Sequence, residues 1–371
     1  MGSIKRITIQ GFKSIKELTE FELKDLNVIV GANGVGKSNF LLVFRMVLAM
    51  IRGEFQQFVL KNGGANAFPF CGLKETPEIK IAFDFASSGL EPEAFSYRFC
   101  MSPTVGESMM LAEGRRGLDG AWKSYGSPSL ESRLEEQKGE WSAEGKGTGS
   151  LVFDAVSHWM VYHFPDTGIN APIRYSEIVE DSQKLREDGR NLAPFLLRLR
   201  ESEPECYEKI RNAVRLVMPF FDDFTLDVLQ MGEARKVKLT WKQKGTDYPM
   251  QPYHFSDGSI RFIALATALL QPNPPTTIVI DEPELGLHPE AIRILAELIA
   301  IASKRTQVIL ATQSPLLLDN FSLDDIVVAR RHQRATVFEH LKEEEYSAWL
   351  EDYTVGELWS HNIIHGGTVY E

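Results

Sequence analysis

The sequence predicts an α/β fold with a parallel-sheet core, a mixed-sheet lobe and a helical or irregular insertion. Three patterns predict this class. Over residues 24–50, an apolar strand is followed by a glycine-rich loop and an apolar helix. Over residues 256–330, helix and strand patterns alternate, as they do in parallel sheets with crossover helices. Between these stretches, several segments alternate with period two, which favours antiparallel strands.

The amino-terminal part, residues 1–100, is expected to form half of the core and an antiparallel lobe. Residues 4–10 are typical of a strand, and residues 28–30 form an apolar run that suits a buried strand. Residues 79–85 and 95–99 alternate with period two, which predicts half-buried antiparallel strands.

Residues 101–250 are predicted to form an inserted helical and mixed lobe. Residues 105–149 are rich in glycine, serine and charge, so we expect loops there, with one short helix over residues 130–137. Pro204 suits a first helical turn, where its missing N–H costs no hydrogen bond. The other patterns predict helices over residues 191–200 and 203–218 and a strand over residues 235–241.

Residues 251–371 are predicted to complete the core, so that residues 1–371 form one composite domain. The predicted elements are helices over residues 260–270 and 289–303 and strands over residues 277–280, 307–311 and 325–330. No sustained heptads separate the two halves, which leaves no room for a long coiled coil between them.

Composition narrows the class of protein. The 371 residues carry a formal net charge of -11, without the basic surplus of a dedicated nucleic-acid-binding protein. Cys71, Cys100 and Cys206 have neither a disulfide count nor metal-ligand spacing, so we expect a cytoplasmic protein. The most apolar stretch, residues 40–51, is too short to span a bilayer, and we expect no membrane contact.

The strongest motif is the loop Gly-Ala-Asn-Gly-Val-Gly-Lys-Ser at residues 31–38. It matches the pattern G-x-x-x-x-G-K-[ST] and lies between a strand and a helix, as a phosphate-binding loop does. Its glycines let backbone N–H groups face phosphate oxygens, and the helix N-terminus favours an anion. Lys37 would contact the β and γ phosphates, and the Ser38 hydroxyl would ligate Mg²⁺. The motif therefore predicts that ATP and Mg²⁺ bind here.

A second motif ends the apolar run at residues 276–280. Asp281 would hold the Mg²⁺ shell, while Glu282 would act as general base toward the attacking water. Neighbouring residues at a strand end face different ways, so one carboxylate can serve each role. The alternative is a capping pair before the helix that begins at Pro289.

Two further motifs lie on either side of this carboxylate pair. Ser256 or Asp257 would cap a helix, and a capped N-terminus with Gly258 could also hold a γ-phosphate. Gln313 follows the predicted strand at residues 307–311 and would sense the γ-phosphate, with an ordinary loop glutamine as the alternative.

Together, these residues resemble the RecF/SMC-type branch of ABC ATPases, and in particular compact stand-alone bacterial ATPases with a RecF-like head. The motifs follow the order found in ABC heads. The similar segments are residues 7–14, 188–193, 255–266 and 280–289, and a closing segment from Gly356 to Gly366 and Gly367. The resemblance is weakest over residues 55–153.

The resemblance implies a P-loop NTPase fold of the ABC-ATPase head type and a homodimer that closes on ATP. In such a dimer, Ser256 and Gly258 contact nucleotide held by the opposite subunit, and His288 lies in the D-loop that crosses the interface. Ser38 and Asp281 would bind the metal, and Glu282 would be catalytic. The nucleotide contacts that it implies within one chain are Lys13, Asn33, Gly34, Gly36, Lys37, Ser38 and Asn39.

Two features depart from the ABC pattern. Gln313 stands where ABC heads often have histidine, so we expect slow turnover or a sensing role, with Gln313 still acting at the γ-phosphate. The Q-loop residue stays open, with Gln56, Gln57 and Gln137 as candidates.

Two functions remain open on these residues. The first is ATP hydrolysis that drives head dimerisation in DNA repair or anti-phage defence, with DNA as a partner. The alternative is an ATP-dependent switch that controls a separate effector protein with little DNA contact. We expect no nuclease module after Gln313, because few residues follow it, and a transporter ATPase fits the motifs poorly.

Overall fold

The computed structural model describes residues 2–86, 95–104, 106–117, 120–142, 145–164, 167–168 and 170–364. Its strands are β1 (Ile4–Phe12), β2 (Ile15–Glu22), β3 (Leu26–Val30), β4 (Ile79–Phe85), β5 (Phe95–Pro103), β6 (Met109–Arg116), β7 (Trp122–Ser124), β8 (Trp141–Ser142), β9 (Gly145–Lys146), β10 (Trp159–Tyr162), β11 (Glu177–Ile178), β12 (Phe221–Phe224), β13 (Val228–Met231), β14 (Ala234–Val237), β15 (Trp241–Gln243), β16 (Pro249–Met250), β17 (Thr277–Asp281), β18 (Gln307–Thr312), β19 (Ile326–His332) and β20 (Ala335–His340). Its α-helices are α1 (Lys37–Ile51), α2 (Phe55–Lys61), α3 (Thr148–Ser157), α4 (Leu192–Ser202), α5 (Pro204–Val217), α6 (Asp257–Leu270), α7 (Pro289–Ser303), α8 (Pro315–Leu318), α9 (Glu343–Leu350) and α10 (Val355–Ser360).

A mostly parallel sheet forms the core, in the strand order β10-β17-β18-β3-β19-β20. The first five of these strands run parallel, and β20 returns antiparallel to β19. Every residue of β3 and β18 is buried, because a parallel sheet is covered on both faces. The carboxyl ends of β10, β17, β18 and β3 therefore meet at one edge of the sheet.

Alternate side chains of the core sheet enter two separate hydrophobic clusters. On one face, Val28, Ile280 and Leu310 pack with residues of helices α4 to α7. On the other face, Ile29 and Val279 pack with α1 and with strands of a second sheet. Helix α1 therefore lies between the two sheets, which fixes the loop before it against the core.

The second sheet is antiparallel, in the order β2-β1-β4-β5-β6-β7. It includes the strands predicted at residues 4–10, 79–85 and 95–99, and β4 alternates between buried and more exposed positions as expected. The prediction of a mixed-sheet lobe beside a parallel core is thereby confirmed.

The prediction of loops over residues 105–149 is wrong for β6, which pairs with β5 along its whole length. The alternation was hidden because the charged Glu113 faces inward, where its carboxylate accepts hydrogen bonds from Tyr97 Oη (2.5 Å) and the backbone N–H of Arg133 (2.7 Å). The helix predicted over residues 130–137 is reduced to a 3₁₀ turn, Glu135–Gln137.

The two helices predicted over residues 191–200 and 203–218 are observed as α4 and α5, which pack on the core near α6. The single strand predicted over residues 235–241 is wrong. β14 ends at Val237 and pairs with β13, whereas β15 begins at Trp241 and pairs with β12. Val237 and Trp241 are both buried, but the chain changes from one small sheet to another between them.

The elements predicted after residue 256 are confirmed as α6, β17, α7, β18 and β19. Strands β2, β10 and β20 and helix α3 are present without having been predicted from the sequence. In the part of the chain that the structure describes, no helix is both long and apolar enough to cross a bilayer. Of the segments that carry the resemblance, Gly366 and Gly367 lie outside the described residues.

Candidate nucleotide site

The loop between β3 and α1 curls around the side chain of Lys37. The Lys37 ammonium donates hydrogen bonds to the carbonyl oxygens of Gly31 (2.6 Å) and Ala32 (3.1 Å). Burial lowers the pKa of Lys37, while the nearby carboxylates of Glu282 and Asp281 oppose that shift. The ammonium is therefore held within the loop, on the side of the predicted carboxylate pair.

Gly36 shows why this loop needs glycine. Its φ is 116°, and an added Cβ would overlap the hydroxyl oxygens of Thr336 and Ser14. Thr336 belongs to β20, and its hydroxyl donates to the carbonyl oxygen of Val35 (2.6 Å). The antiparallel edge strand β20 thus holds the loop in place through this hydrogen bond. Asn33 and Gly34, at the tip of the loop, are exposed.

Two of the predicted nucleotide contacts are engaged elsewhere in this structure. The Asn39 amide donates to the hydroxyl of Ser14 (2.8 Å), beside the phosphate loop. The Lys13 ammonium lies 4.4 Å from the ring centroid of Phe68 and donates to the carbonyl oxygen of Ala67 (3.3 Å). Contacts from Asn39 and Lys13 to nucleotide therefore remain predictions.

Ser38 and Asp281 are brought together from α1 and β17. The Ser38 hydroxyl lies near enough to the Asp281 carboxylate to favour its charged form. Burial raises the pKa of Asp281, and the neighbouring Glu282 adds to that rise. Serine and aspartate oxygens are hard ligands of the kind that Mg²⁺ takes beside nucleotide phosphates, so these residues fit the predicted metal.

Glu282 adopts a left-handed backbone conformation, with φ of 46°. Its N–H donates to the carbonyl oxygen of Ala311 (2.9 Å), and its carboxylate accepts a hydrogen bond from Gln313 Nε2 (2.6 Å). Such a conformation costs energy outside glycine and is concentrated at functional sites. The predicted base and the predicted switch residue are thus in direct contact.

Glu284 is a further residue of this edge that the sequence reasoning did not identify. Its Oε1 accepts hydrogen bonds from Thr312 Oγ1 (2.6 Å) and from the N–H of Gln313 (3.2 Å). Burial raises the pKa of Glu284, and its Oε2 is buried without a hydrogen-bond partner among the described residues. Glu284 therefore fixes the backbone that carries Gln313.

The residues Ser256 and Gly258 lie at the exposed start of α6. Ser256 caps the helix, because its Oγ accepts a hydrogen bond from the N–H of Ser259 (3.0 Å). Gly258 packs directly on Gly286 of the turn after β17, where an added Cβ would overlap the Gly286 carbonyl oxygen. The cap and the exposure of Ser256 leave this end of α6 open to another molecule.

Two buried arginines hold this region together, and the sequence reasoning assigned no role to either. Arg174 donates to the carbonyl oxygens of Pro252 (2.6 Å) and Phe255 (3.1 Å) and to Asp257 Oδ1 (2.7 Å). Arg261 of α6 is 7% exposed and donates through Nε (3.0 Å) and Nη2 (2.7 Å) to the Phe164 carbonyl oxygen. Its third bond goes to the carbonyl oxygen of Leu285. The sequence signal for Arg261 was a charged residue inside an apolar helix.

The structure shows where the three candidate Q-loop glutamines lie. Gln56 Nε2 donates to the Met109 carbonyl oxygen (2.8 Å), while its Oε1 accepts from the Met109 N–H (3.0 Å). Gln137 accepts from Arg115 (3.2 Å). Both side chains thus hold the antiparallel lobe, and Gln57 is exposed on α2.

His163 is a further residue beside the carboxylate pair. It directly follows β10, whose Tyr162 pairs with Ile280 of β17, and it lines a small cavity with Asp281 and Glu282. Burial lowers the pKa of His163 to about 4, so the ring is neutral at pH 7. Sequence reasoning missed it because β10 was not predicted.

One family model covers most of the chain. The family described as "AAA domain, putative AbiEii toxin, Type IV TA system" matches residues 26–319. The matched range begins at the first residue of β3 and extends past Gln313. It therefore includes all four motifs.

Curated relatives match the chain over very different lengths. The structural maintenance of chromosomes protein 3 homolog of Plasmodium falciparum is 39% identical over 82 residues, which are 22% of this chain and 6% of that protein. The chromosome partition protein Smc of Desulfitobacterium hafniense is 38% identical over 95 residues, 24% of this chain and 8% of that protein. The OLD nuclease of Thermus scotoductus is 21% identical over 360 residues, 93% of this chain and 65% of that protein. The chain thus matches less than a tenth of either chromosome protein.

Solved structures with a similar fold cover nearly the whole chain. A crystal structure of an Smc head bound to the C-winged helix domain of ScpA has a TM-score of 0.60 at 16% identity, over 93% of this chain and 99% of that one. An Smc head with an extended coiled coil, bound to the C-terminal domain of ScpA from Pyrococcus furiosus, has a TM-score of 0.58 at 16% identity, over 95% and 99%. The chain belongs to the AAA-domain family whose model it matches, and its fold is that of an ABC-type ATPase head of the SMC and RecF-like class.

Proposed function

We propose that this chain binds ATP with Mg²⁺ and hydrolyses it in a site that two copies of the chain complete. The observation that carries the proposal is the meeting of three motifs at one sheet edge. Ser38 lies beside Asp281, Glu282 accepts a hydrogen bond from Gln313, and Lys37 lies in the electrostatic field of both carboxylates. Phosphate, metal and water ligands are thus within reach of one another.

Each side chain has a chemical task in this scheme. Lys37 compensates charge on the transferred phosphoryl group, for which positioning and electrostatics are the main sources of catalysis. Bound Mg²⁺ would supply further charge neutralisation, held by Ser38 and Asp281. Glu282 accepts a proton from the attacking water, and Gln313 sets the orientation of that carboxylate.

A second copy of the chain is part of the proposal because the N-terminal end of α6, where Ser256 lies, is exposed. Ser256 is open to another molecule, while Gly258 packs on Gly286 of the same chain. In a two-fold dimer, each α6 N-terminus would face the phosphates held by the opposite chain, which gives two equal sites. ATP would then bridge the subunits, and its hydrolysis would remove the bridge.

Replacement of Lys37 tests the catalytic part of the proposal. Lys37→Ala should lower ATP turnover about a hundredfold or more, because it removes a preorganised charge from the phosphates. Steady-state phosphate release measures this loss. Lys61→Ala, at the exposed end of α2, is the matched control and should turn over ATP normally. Normal turnover by Lys37→Ala would refute the proposed site.

Two biological roles are candidates for this ATPase activity. Similarity to chromosome proteins and to an OLD nuclease favours a DNA-related role, such as repair or anti-phage defence. The acidic balance of the chain and Gln313 favour a switch that acts on a separate effector protein, and the two similar Smc heads are each bound to a domain of ScpA. ATP turnover with and without duplex DNA, at several salt concentrations, separates the two. DNA stimulation that weakens with salt supports the first role, and its absence supports the second.

A further inference from the structure

A large cavity lies at the edge of the core sheet opposite the nucleotide site. It has a volume of about 860 Å³, within the range of roughly 300–1,000 Å³ typical of small-molecule sites. Its lining includes Asp25, His158, Thr276 and Thr306, which come just before β3, β10, β17 and β18. These are the amino-terminal ends of the parallel strands β3, β10, β17 and β18, and the carboxyl ends of β3, β17 and β18 carry three of the four motifs.

Four basic side chains line this cavity, and they come from three separate parts of the chain. Lys184 comes from the loop before α4, Arg198 from α4 itself, and Lys304 and Arg305 from the turn after α7. Asp25 is the only carboxylate in the described lining. The local charge is therefore positive in a chain whose formal net charge is -11.

None of these four cations forms an ion pair within the described residues. Elsewhere on the surface, by contrast, arginines pair with carboxylates: Arg186 with Asp181 at 3.0 Å, and Arg293 with Glu290 at 2.6 Å. The positive charge of this cluster is therefore not neutralised by ion pairs in the described part of the chain, although the chain as a whole has an excess of carboxylates. An uncompensated positive cavity attracts anions.

Backbone carbonyls, rather than carboxylates, hold the cluster in place. Arg198 Nε donates to the Ser182 carbonyl oxygen (2.7 Å), and Arg305 Nη2 donates to those of Gln271 and Pro272 (both 2.9 Å). Each guanidinium has further N–H groups beyond these bonds. Both guanidinium groups are thus fixed in position by carbonyl oxygens, and Arg198 also lies over the ring of Phe195, 5.0 Å from its centroid.

A purely structural role explains only part of the cluster. Lys304 and Arg305 follow the C-terminus of α7, where cations interact favourably with the helix dipole. Lys184 and Arg198 come from other segments, away from that helix terminus; Arg198 is held by the Ser182 carbonyl oxygen and the Phe195 ring, whereas Lys184 is exposed at the rim. The buried Asn191 amide bonds to the Lys184 carbonyl oxygen (2.8 Å), which fixes the backbone of Lys184 at the rim.

We propose that this cavity binds a phosphate-bearing ligand, independently of the nucleotide site. A polyphosphate concentrates several negative charges within one cavity, and guanidinium groups bind phosphate oxygens through paired N–H donors. An acidic peptide spaces its carboxylates along an extended chain, so that few would enter together. The ligand is either a free polyphosphate or nucleotide, or the phosphorylated end of a nucleic acid.

Titration of inorganic tripolyphosphate into the Lys37→Ala variant tests this site, because that variant lacks the main cation of the nucleotide loop. Calorimetry should show binding that weakens as salt is raised. Combined replacement Lys184→Glu and Lys304→Glu in the same background should weaken it at least about tenfold. The matched control is Lys61→Glu with Lys74→Glu, which makes the same charge change at exposed lysines of the other lobe and should leave binding unchanged.

Several outcomes would decide the proposal. No binding of tripolyphosphate, or equal loss in the control variant, would overturn it. Tighter binding of an octaglutamate peptide than of tripolyphosphate would replace the ligand class with an acidic peptide. A preference for a 5′-phosphorylated over a 5′-hydroxyl oligonucleotide would support the nucleic-acid source, and binding of tripolyphosphate alone would support the free source. Normal ATP turnover by the Lys184→Glu, Lys304→Glu variant with intact Lys37 would confirm that the two sites are separate.

Discussion

Gln313 and Glu282 are linked by a hydrogen bond of 2.6 Å, so the residue that replaces the usual histidine acts directly on the proposed base. We expect Gln313→Leu to lower kcat about a hundredfold with KM nearly unchanged, because misplacement of a catalytic group by about 1 Å has that effect. Steady-state kinetics measure the split. Gln313→His should restore part of the rate by supplying a donor again. Equal kcat for wild type and Gln313→Leu would remove Gln313 from the mechanism.

Glu284 allows a prediction about pH at the same scale. Burial raises its pKa in the folded chain above the unfolded value. The protonated form is therefore favoured by folding, and the stability that it contributes is lost as pH rises through the folded pKa. Glu284→Gln keeps an acceptor for Thr312 and Gln313 and removes the buried charge. We expect the variant to melt above wild type at pH 7, with the difference vanishing toward pH 4 in thermal unfolding without nucleotide.

A pH-independent difference between the two proteins would contradict this account of Glu284. Asp319→Asn is the control variant. The Asp319 carboxylate directly follows α8 and accepts a hydrogen bond from the Gly356 N–H (2.7 Å). Replacement of Asp319 should not reproduce the gain at pH 7. The two carboxyls together separate burial from a general loss of negative charge.

At the scale of elements, Arg261 joins helix α6 to the end of β10 and to the turn after β17. Arg261→Met should destabilise the fold by about 2–4 kcal/mol, because the carbonyl oxygens of Phe164 and Leu285 lose a buried donor. Chemical denaturation measures the loss. Arg293→Met, on the exposed face of α7, removes only surface ion pairs and should change stability little. Similar stability for both variants would show that Arg261 is not a brace.

At the scale of the whole molecule, composite sites can be tested by complementation. Lys37→Ala lacks the loop cation, and Ser256→Arg blocks the exposed end of α6, so neither variant alone should hydrolyse ATP well. A mixed dimer has one intact site, formed by the loop of the Ser256→Arg chain and the α6 N-terminus of the Lys37→Ala chain. Mixing should therefore restore turnover to a substantial fraction of wild type. A mixture that forms heterodimers yet stays inactive would contradict trans completion.

The fold could be predicted to a large extent because its core strands are continuous apolar runs and two helices of the core, α6 and α7, begin at side-chain caps. The prediction failed where a polar residue is buried with partners that are distant in sequence. Glu113 in β6 meets Tyr97 and Arg133, and His163 follows a strand that only its pairing with β17 defines. Local patterns report burial, and they misreport it when a long-range hydrogen bond compensates a charge.

The sequence by itself determined the class of fold and predicted the phosphate loop, Asp281, Glu282, Ser256 and Gln313 as site residues, since each belongs to a motif whose spacing is local. Only the tertiary structure decided how these motifs meet, which places Gln313 on Glu282 and Ser38 on Asp281. It also added the braces Arg174 and Arg261 and the cationic cavity at the far edge of the sheet. The physical reason is that parallel strands bring together residues from remote parts of the chain, and no local pattern records that assembly.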